Sequence, residues 1–500
     1  MHEDLSRADA EPQLRRDRGD LRRGAVVNGI GSLFKVMVPV LTALIVRLYG
    51  AEVFGLFIVA HAGLLFASRL CLVGLDKALL WWIPQQPAGQ ALTAWRPVVA
   101  AVVITTSATT VVLLAFADPL AAVVGGDQAA LPLRIMTLSL LPMTLTELLL
   151  AACTGLKRMG PTVVVKETLL PLAVAGFGLL LYPLALASTG LAIGFTAAHL
   201  AALGLAFLWW RRLFPRSTAP RVSAVPPRLR SYALPIWFAE LSNSLLLRMD
   251  VYAVALLAGG DLQWVGIYGT VVTIANAVRQ IRRAFDPMVL VLTAEIGARR
   301  AKDRLAAGLS YATTLVLATQ LPVLAVIVGF APWLMQFFGA AFDVGTTALV
   351  VLTAVWVINS PFSLAGVVVQ AHGHATLTLA NVWLAIGVQA VALWLLVPPY
   401  GLVGAAASVG IAYGVQAAAQ VLQMRRLTGA WNFSPAVARP LVWALIASIA
   451  AGVAWSVVPD ARSLAWRVVI VAAFGAVYGY SAAAARASIR KTASAGIATG

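Results

Sequence analysis

Charge is the scarcest commodity in this chain. Only 11% of its 500 residues are Asp, Glu, Lys or Arg, against about 25% in an ordinary soluble domain, too few to build a water-facing surface of normal polarity. Acid is scarcer still: 20 Asp and Glu stand against 37 Lys and Arg, a net charge of +17. Cysteine is almost absent. Cys71 and Cys153 fall in two different apolar runs, so no structural disulfide is expected. Signatures of soluble enzymes are missing as well: there is no Walker-type phosphate loop, no paired-histidine zinc spacing and no glycine-rich dinucleotide fingerprint after a strand. His372 and His374 come nearest to a metal pair. Two histidines at i and i+2 with no third ligand close by read as surface residues, and no metal site is expected.

What is present is hydrocarbon. Hydrophobic residues make up 60% of the chain and the mean hydropathy is +0.86. The apolar content recurs from about Gly24 to about Ala485, broken only by short polar or basic stretches. That pattern predicts a polytopic membrane protein in which each helix needs about 20 apolar residues to span the bilayer. Fourteen spans are predicted, at approximately 24–46, 55–77, 97–117, 131–153, 162–184, 189–210, 232–257, 264–288, 307–330, 344–369, 376–397, 402–424, 437–458 and 464–485. Membrane barrel strands alternate apolar and polar residues, whereas 163–186 is apolar almost throughout. The expected fold is therefore all-α.

The basic residues set the topology. With the polar segment 1–23 placed inside as a solvated tail rather than a signal peptide, the outer side receives only Arg47, Arg134, Arg462 and Arg467. Lys35, Arg69 and Arg248 fall within spans, and every other Lys and Arg lies on the inner side. Such a bias places both termini in the cytoplasm and turns the net positive charge into a topology signal rather than a nucleic-acid signal.

Sliding the chain by about 211 residues brings Phe54-Gly-Leu-Phe57 onto Val265-Gly-Ile-Tyr268, and Gly190-Leu191 onto Gly401-Leu402. Two six-helix bundles of the same orientation follow, an arrangement found in alternating-access transporters. The expected division is a tail at 1–23, a first lobe at 24–210, a linker at 211–231, a second lobe at 232–424, a helix pair at 425–485 and a tail at 486–500.

Ionisable residues inside spans are costly and point to a cavity or a partner. Lys35, Arg69 and Arg248 form one candidate group, cations fit for an anionic headgroup, because arginine offers phosphate two hydrogen bonds from one planar fork. Glu147, Glu240 and Asp250 form the other. They read equally as coupling carboxylates or as structural ion-pair partners of those cations. On one continuous helix Arg248 and Asp250 would be about 200° apart, so their partners are expected on other helices. Gly29, Gly31, Pro39, Pro142, Pro171, Pro235, Pro361 and Gly366 are candidate hinges.

Several short motifs then converge on one family. Asn28-Gly-Ile-Gly-Ser32, Arg47-Leu-Tyr-Gly-Ala-Glu-Val-Phe-Gly-Leu-Phe57, Val73-Gly-Leu-Asp76, Leu247-Arg-Met-Asp250 and Pro399-Tyr-Gly-Leu-Val-Gly-Ala-Ala406 resemble, in order and spacing, Wzx-type polysaccharide flippases of the MOP superfamily. The resemblance implies a MATE-like two-lobed bundle in the bacterial inner membrane. It implies a carrier, not an enzyme, that moves an undecaprenyl-diphosphate-linked oligosaccharide from the cytoplasmic to the periplasmic leaflet. No cofactor is implied, only an ion gradient or membrane potential. Implied partners are the lipid-linked oligosaccharide, membrane lipids, and polysaccharide polymerase and assembly proteins. By that resemblance Lys35, Arg69 and Arg248 are lumen cations, and His374 replaces a basic residue usual in the loop after the tenth helix. A MATE-type cation or drug antiporter and a peptidoglycan-precursor flippase share the architecture and stand as alternatives.

Overall fold

The computed structural model describes residues 37–86, 90, 92–156, 158–214, 224–257, 261–283, 302–372, 375–429 and four isolated positions beyond. Among these every regular element is helical. Eight helices are long and apolar enough to cross a membrane: Pro39–Leu72, Trp95–Ala115, Asp127–Gly155, Gly160–Leu184, Ala187–Leu213, Gly308–Gln336, Ala340–Ala371 and Thr376–Thr428. The spans expected at 437–458 and 464–485 lie outside the described residues.

Helix ends follow glycines and polar breaks. α1 (Met37–Leu72) joins the first two expected spans into one helix kinked at Gly50, where φ is 85°. Here the left-handed backbone that only glycine adopts freely replaces a loop. A second kink, at Gly401 with φ 53°, joins the two spans expected at 376–397 and 402–424 into a single helix, Ala375–Thr428. Conversely, the span expected at 131–153 is two helices, Ala130–Thr137 and Leu140–Gly155. The span expected at 232–257 is likewise broken, into Pro227–Leu246 and Met249–Leu257. Helices run into the expected linker from both sides, ending at Leu213 and restarting at Pro227.

Pro142 sits in the first turn of Leu140–Gly155, where no intrahelical hydrogen bond is lost, and Pro171 follows directly on the π-helical stretch Val163–Leu169 inside the continuous helix Gly160–Leu184. Pro235 and Pro361 lie inside uninterrupted helices. Gly29 and Gly31 lie outside the described residues.

The chain forms two compact units, the first comprising Met1–Leu245 with Gly260–Gly266, the second Leu246–Gly259 with Ile267–Gly500. Within the first, Leu72, Leu79, Ile83, Val98, Val102, Leu148 and Leu229 make a closed cluster. Within the second, Leu305, Leu309, Val316, Leu364, Val368 and Met424 do the same. Side-chain size sorts outward. Ala78, Ala152, Ala198, Ala206, Ala385, Ala405 and Ala412 are wholly buried, while Ile104, Leu180 and Trp394 are roughly two-thirds exposed. This order fits lipid, in which large apolar side chains lose nothing by facing outward and small ones let helices approach.

The closest approach joins the two copies of the repeated motif. A Cβ on Gly55 would overlap the carbonyl oxygen of Leu262, and one on Gly266 would overlap that of Ala51. Both glycines and both carbonyls belong to the first unit. The two contacts mirror each other, each pairing a glycine with the carbonyl four residues before the other glycine.

Candidate functional site

In the first unit the polar residues gather around the end of α1. The chain turns sharply at Val73 (φ 49°) and Gly74 (φ 71°), a left-handed pair that is costly for a β-branched residue. α2 (Leu75–Trp82) then carries Asp76 back to Arg69. Arg69 Nη1 donates to Asp76 Oδ2 at 3.4 Å, and Lys77 Nζ lies 3.9 Å from the same oxygen. The corner is braced from the helix Pro227–Leu246. Trp237 Nε1 donates to the Arg69 carbonyl at 3.1 Å, and a Cβ on Gly74 would strike the Ala233 carbonyl. On the outer face of α2, Trp81 stacks on Tyr232 at 4.3 Å and lies under the Arg228 guanidinium.

Glu147 is paired. Lys166 Nζ donates to Glu147 Oε1 at 2.5 Å, and Arg69 and Lys77 lie within its electrostatic reach. Lys166 stands on the widened turn Val163–Leu169, a π-helical stretch of the kind that re-aims a side chain at a functional position. Lys166, counted with the inner-side cations, lies within this helix and pairs with the Glu147 carboxylate. Replacing Glu147 by Gln, or Lys166 by Met, is expected to destabilise the protein by about 2 kcal/mol, because each leaves a charge without its partner. The double replacement should cost less than either single change. Thermal melting of the four proteins checks this, and additive losses would show that the pair is not coupled.

In the second unit the helix break at Leu247 and Arg248 invalidates the continuous-helix angle between Arg248 and Asp250. Asp250 opens Met249–Leu257, where its Oδ1 accepts from the Val251 amide at 2.9 Å and its Oδ2 accepts from the Tyr268 hydroxyl at 2.9 Å. The partner from another helix is therefore a phenol. Arg248 is half-buried and makes no ion pair among the described residues. Glu240, half-buried on Pro227–Leu246, likewise makes none among them. Lys35 and His374 lie outside the described residues. His372 Nδ1 lies 2.9 Å from the Val368 carbonyl, a contact within its own helix.

One residue escaped the sequence reading. Arg279, grouped there with the cytoplasmic connector cations, is only 8% exposed. Its guanidinium lies over the Trp356 ring, 5.0 Å from the centroid, and Tyr413 meets that ring edge-on at 4.9 Å. The Arg279 Nε is buried without a hydrogen-bond partner, and among the described residues no carboxylate pairs with it. A signal was available in the sequence. Tyr268, Val271, Ala275 and Arg279 recur at the spacing of one helix face, and the first three are wholly buried. Close by, Gln320 donates to the Val278 carbonyl at 2.9 Å. Gln320 Oε1 is a buried atom without a partner, as are both amide atoms of Gln389 in the same unit.

Chemically, the carboxylates Asp76, Glu147 and Asp250 are satisfied by the protein itself, while Arg248 and Arg279 retain donor capacity. Arginine donors that are partly or wholly buried suit an anion, above all a phosphate oxygen.

A family model described as "Polysaccharide biosynthesis protein" matches residues 21–285. No curated protein matches the chain. Among solved structures, the chain is similar to the lipid II flippase MurJ in an inward closed conformation, with a TM-score of 0.72 at 11% identity, over 91% of this chain and 97% of that one. It is also similar to an inward-facing multidrug resistance MATE family transporter of the MOP superfamily, with a TM-score of 0.65 at 16% identity, over 80% of this chain and 98% of the transporter. A MOP superfamily transporter from Pyrococcus furiosus, described as having a binding pocket of reverse polarity, gives a TM-score of 0.57 at 16% identity, over 83% and 96% of the two chains.

Proposed function

Because the chain belongs to the polysaccharide biosynthesis protein family, a family of Wzx-like flippases, and has the fold of MOP superfamily transporters, we propose that it flips an undecaprenyl-diphosphate-linked oligosaccharide from the cytoplasmic to the periplasmic leaflet of the bacterial inner membrane. The product serves cell-surface polysaccharide synthesis, as O-antigen, capsule or exopolysaccharide. The observation that carries this reading is how the buried polar groups are partnered. Buried arginine at Arg279 keeps an unpartnered Nε, whereas two of the three carboxylates considered for a cation antiporter, Glu147 and Asp250, are already engaged within the protein.

In this reading Arg69 and Lys35 in the first unit, and Arg248 and Arg279 in the second, are headgroup cations, each of its own unit, and the polar amides of the second unit meet sugar hydroxyls. A doubly charged, sugar-bearing headgroup cannot cross hydrocarbon unshielded. Alternating access between two six-helix lobes, 24–210 and 232–424, supplies the shield. The mirrored contacts of Gly55 and Gly266, 211 residues apart, support the repeat that underlies those lobes. The added pair 425–485 completes fourteen spans, with both termini cytoplasmic. The protein acts as a carrier and not an enzyme. An ion gradient or the membrane potential drives the cycle, with Glu240 the carboxylate left available for coupling among the three considered. A polymerase and other assembly proteins take over the flipped intermediate.

The test is a deletion strain, in which surface polysaccharide and the leaflet location of the lipid-linked oligosaccharide are measured together. Loss of surface polymer with intact intermediate trapped on the cytoplasmic leaflet is the expected result. Unchanged polymer with altered sensitivity to cationic compounds would move the protein to the antiporter branch. Lethality with accumulated peptidoglycan precursor would make it a peptidoglycan-precursor flippase.

A further inference from the structure

A cationic headgroup site inside a bacterial membrane faces a problem of number: bulk anionic phospholipids, each carrying one phosphodiester charge, vastly outnumber the diphosphate substrate. Arg69 attracts both. The structure contains a device that separates them. Asp76 Oδ2 is shared between Arg69 at 3.4 Å and Lys77 at 3.9 Å, with the Asp76 side chain 7% exposed against 23% and 42% for its partners. The carboxylate is thus the inner member of the trio, and the two cations keep open faces. We propose that Asp76 is a resident anion that occupies Arg69 and Lys77 until a doubly charged headgroup displaces it, so that the first unit selects diphosphate over monoanionic phosphodiester. The inference rests on the headgroup role given to Arg69 above.

The physical argument is an exchange balance. When a monoanion replaces Asp76, one unit charge leaves the two cations and one unit charge arrives. Nothing is gained electrostatically, and the contact already provided within the chain is lost. A diphosphate brings two negative charges to the same two cations and gains an extra charge interaction at short range, reduced by repulsion from Glu147, which lies within reach of both cations, in a partly buried site where such interactions are weakly screened. Geometry supports displacement without refolding. The corner Val73-Gly74 is held by Trp237 Nε1 on the Arg69 carbonyl and by the packing of Gly74 against Ala233. The Arg69 backbone therefore stays fixed while Asp76 rotates away, a step that also breaks the bond its carboxylate accepts from the Lys77 backbone amide. On one unbroken helix residues 69 and 76 would lie two turns apart, about 10 Å along the axis. The left-handed turn is what brings the surrogate anion back to the arginine.

The experiment uses the full chain in lipid nanodiscs and titrates two water-soluble probes, inorganic pyrophosphate and dimethyl phosphate, by calorimetry. Wild-type protein is expected to bind pyrophosphate and to bind dimethyl phosphate weakly. Asp76→Asn should tighten dimethyl phosphate binding by about tenfold or more and pyrophosphate by less, collapsing the ratio between them. Asp76→Glu should restore the wild-type ratio, which a purely structural role would not require. An unchanged ratio in Asp76→Asn, or equal weakening of both probes, overturns the proposal. A second measurement needs no variant: carbodiimide labelling of Asp76 in wild-type protein should rise with pyrophosphate and not with dimethyl phosphate, and labelling indifferent to pyrophosphate also overturns it. Arg69→Ala separates the two levels of inference. If it binds pyrophosphate as tightly as wild type, the headgroup role of Arg69 fails. If it loses pyrophosphate while Asp76→Asn leaves the ratio intact, only the role of Asp76 fails.

Discussion

Arg279→Met is expected to melt at a higher temperature than wild type and to transport nothing measurable. The two halves of that result have one cause. Arg279 is buried, its Nε has no hydrogen-bond partner, and among the described residues no carboxylate balances its charge. A buried ion in that state costs several kcal/mol of desolvation, and replacing buried ionic groups by apolar residues of similar volume has stabilised proteins by about 1–4 kcal/mol. The Trp356 face returns part of that cost, since a desolvated cation over an aromatic ring contributes about 2 kcal/mol. Methionine keeps the length, loses the charge and can pack against the same ring, so a net gain of about 1–2 kcal/mol is expected from the balance of these terms. Transport should fall by at least about 100-fold, because a bidentate donor to phosphate has no apolar substitute. Arg279→Lys tests the fork against the charge: a point cation should keep partial transport. Thermal melting of purified variants, read beside surface polysaccharide in a deletion background, checks both halves. A variant that melts lower than wild type and still supports normal polymer would mean that Arg279 holds the second unit together and does not serve substrate.

Arg279 also shows where sequence reading stops. The membrane class, the helical fold and the order of apolar segments follow from composition and periodicity, because hydrocarbon leaves few ways to satisfy a backbone. Helix ends do not follow in the same way. A glycine such as Gly50 or Gly401 can end a helix or bend a continuing one, and hydropathy is alike in the two cases. Pairing is harder still. Glu147 and Asp250 are visible as costly carboxylates, yet nothing local says that one meets Lys166 from a π-helical turn and the other the Tyr268 phenol. Arg279 reads as a connector cation because it stands near Arg282 and Arg283 at the end of an apolar run, yet its side chain is buried. The face it occupies, shared with Tyr268 and Ala275, was the better guide. Arg69 is legible as a cation inside an apolar run, while its partner Asp76 lies across a left-handed turn that hydropathy does not register.

Gly55→Ala and Gly266→Ala are each expected to lower stability by about 3 kcal/mol, at the upper end of what overpacking usually costs. An added Cβ would overlap a backbone carbonyl oxygen in each case, of Leu262 and of Ala51 respectively. A backbone atom cannot rotate aside as a flexible side chain does, so the helices must part. Separation also removes the close packing of small residues on which association in lipid depends. Because the two glycines mirror each other across one crossing, the parting forced by one methyl makes room for the other. The double variant should therefore cost clearly less than the two single losses added together. Gly63→Ala on the same helix supplies the control, since a Cβ there meets nothing within 4 Å. That change should leave stability unaltered or raise it by up to about 1 kcal/mol through helix propensity. Melting curves of the four variants decide the matter. A Gly55→Ala protein that melts with wild type would mean the crossing has slack, and full additivity in the double variant would mean that the two glycines do not share one contact. The pattern expected here, two costly glycines that partly rescue each other and a neighbouring glycine that costs nothing, is what a duplicated helix gives when its two copies cross at equivalent positions. It would carry the 211-residue repeat from motif spacing into measured energetics.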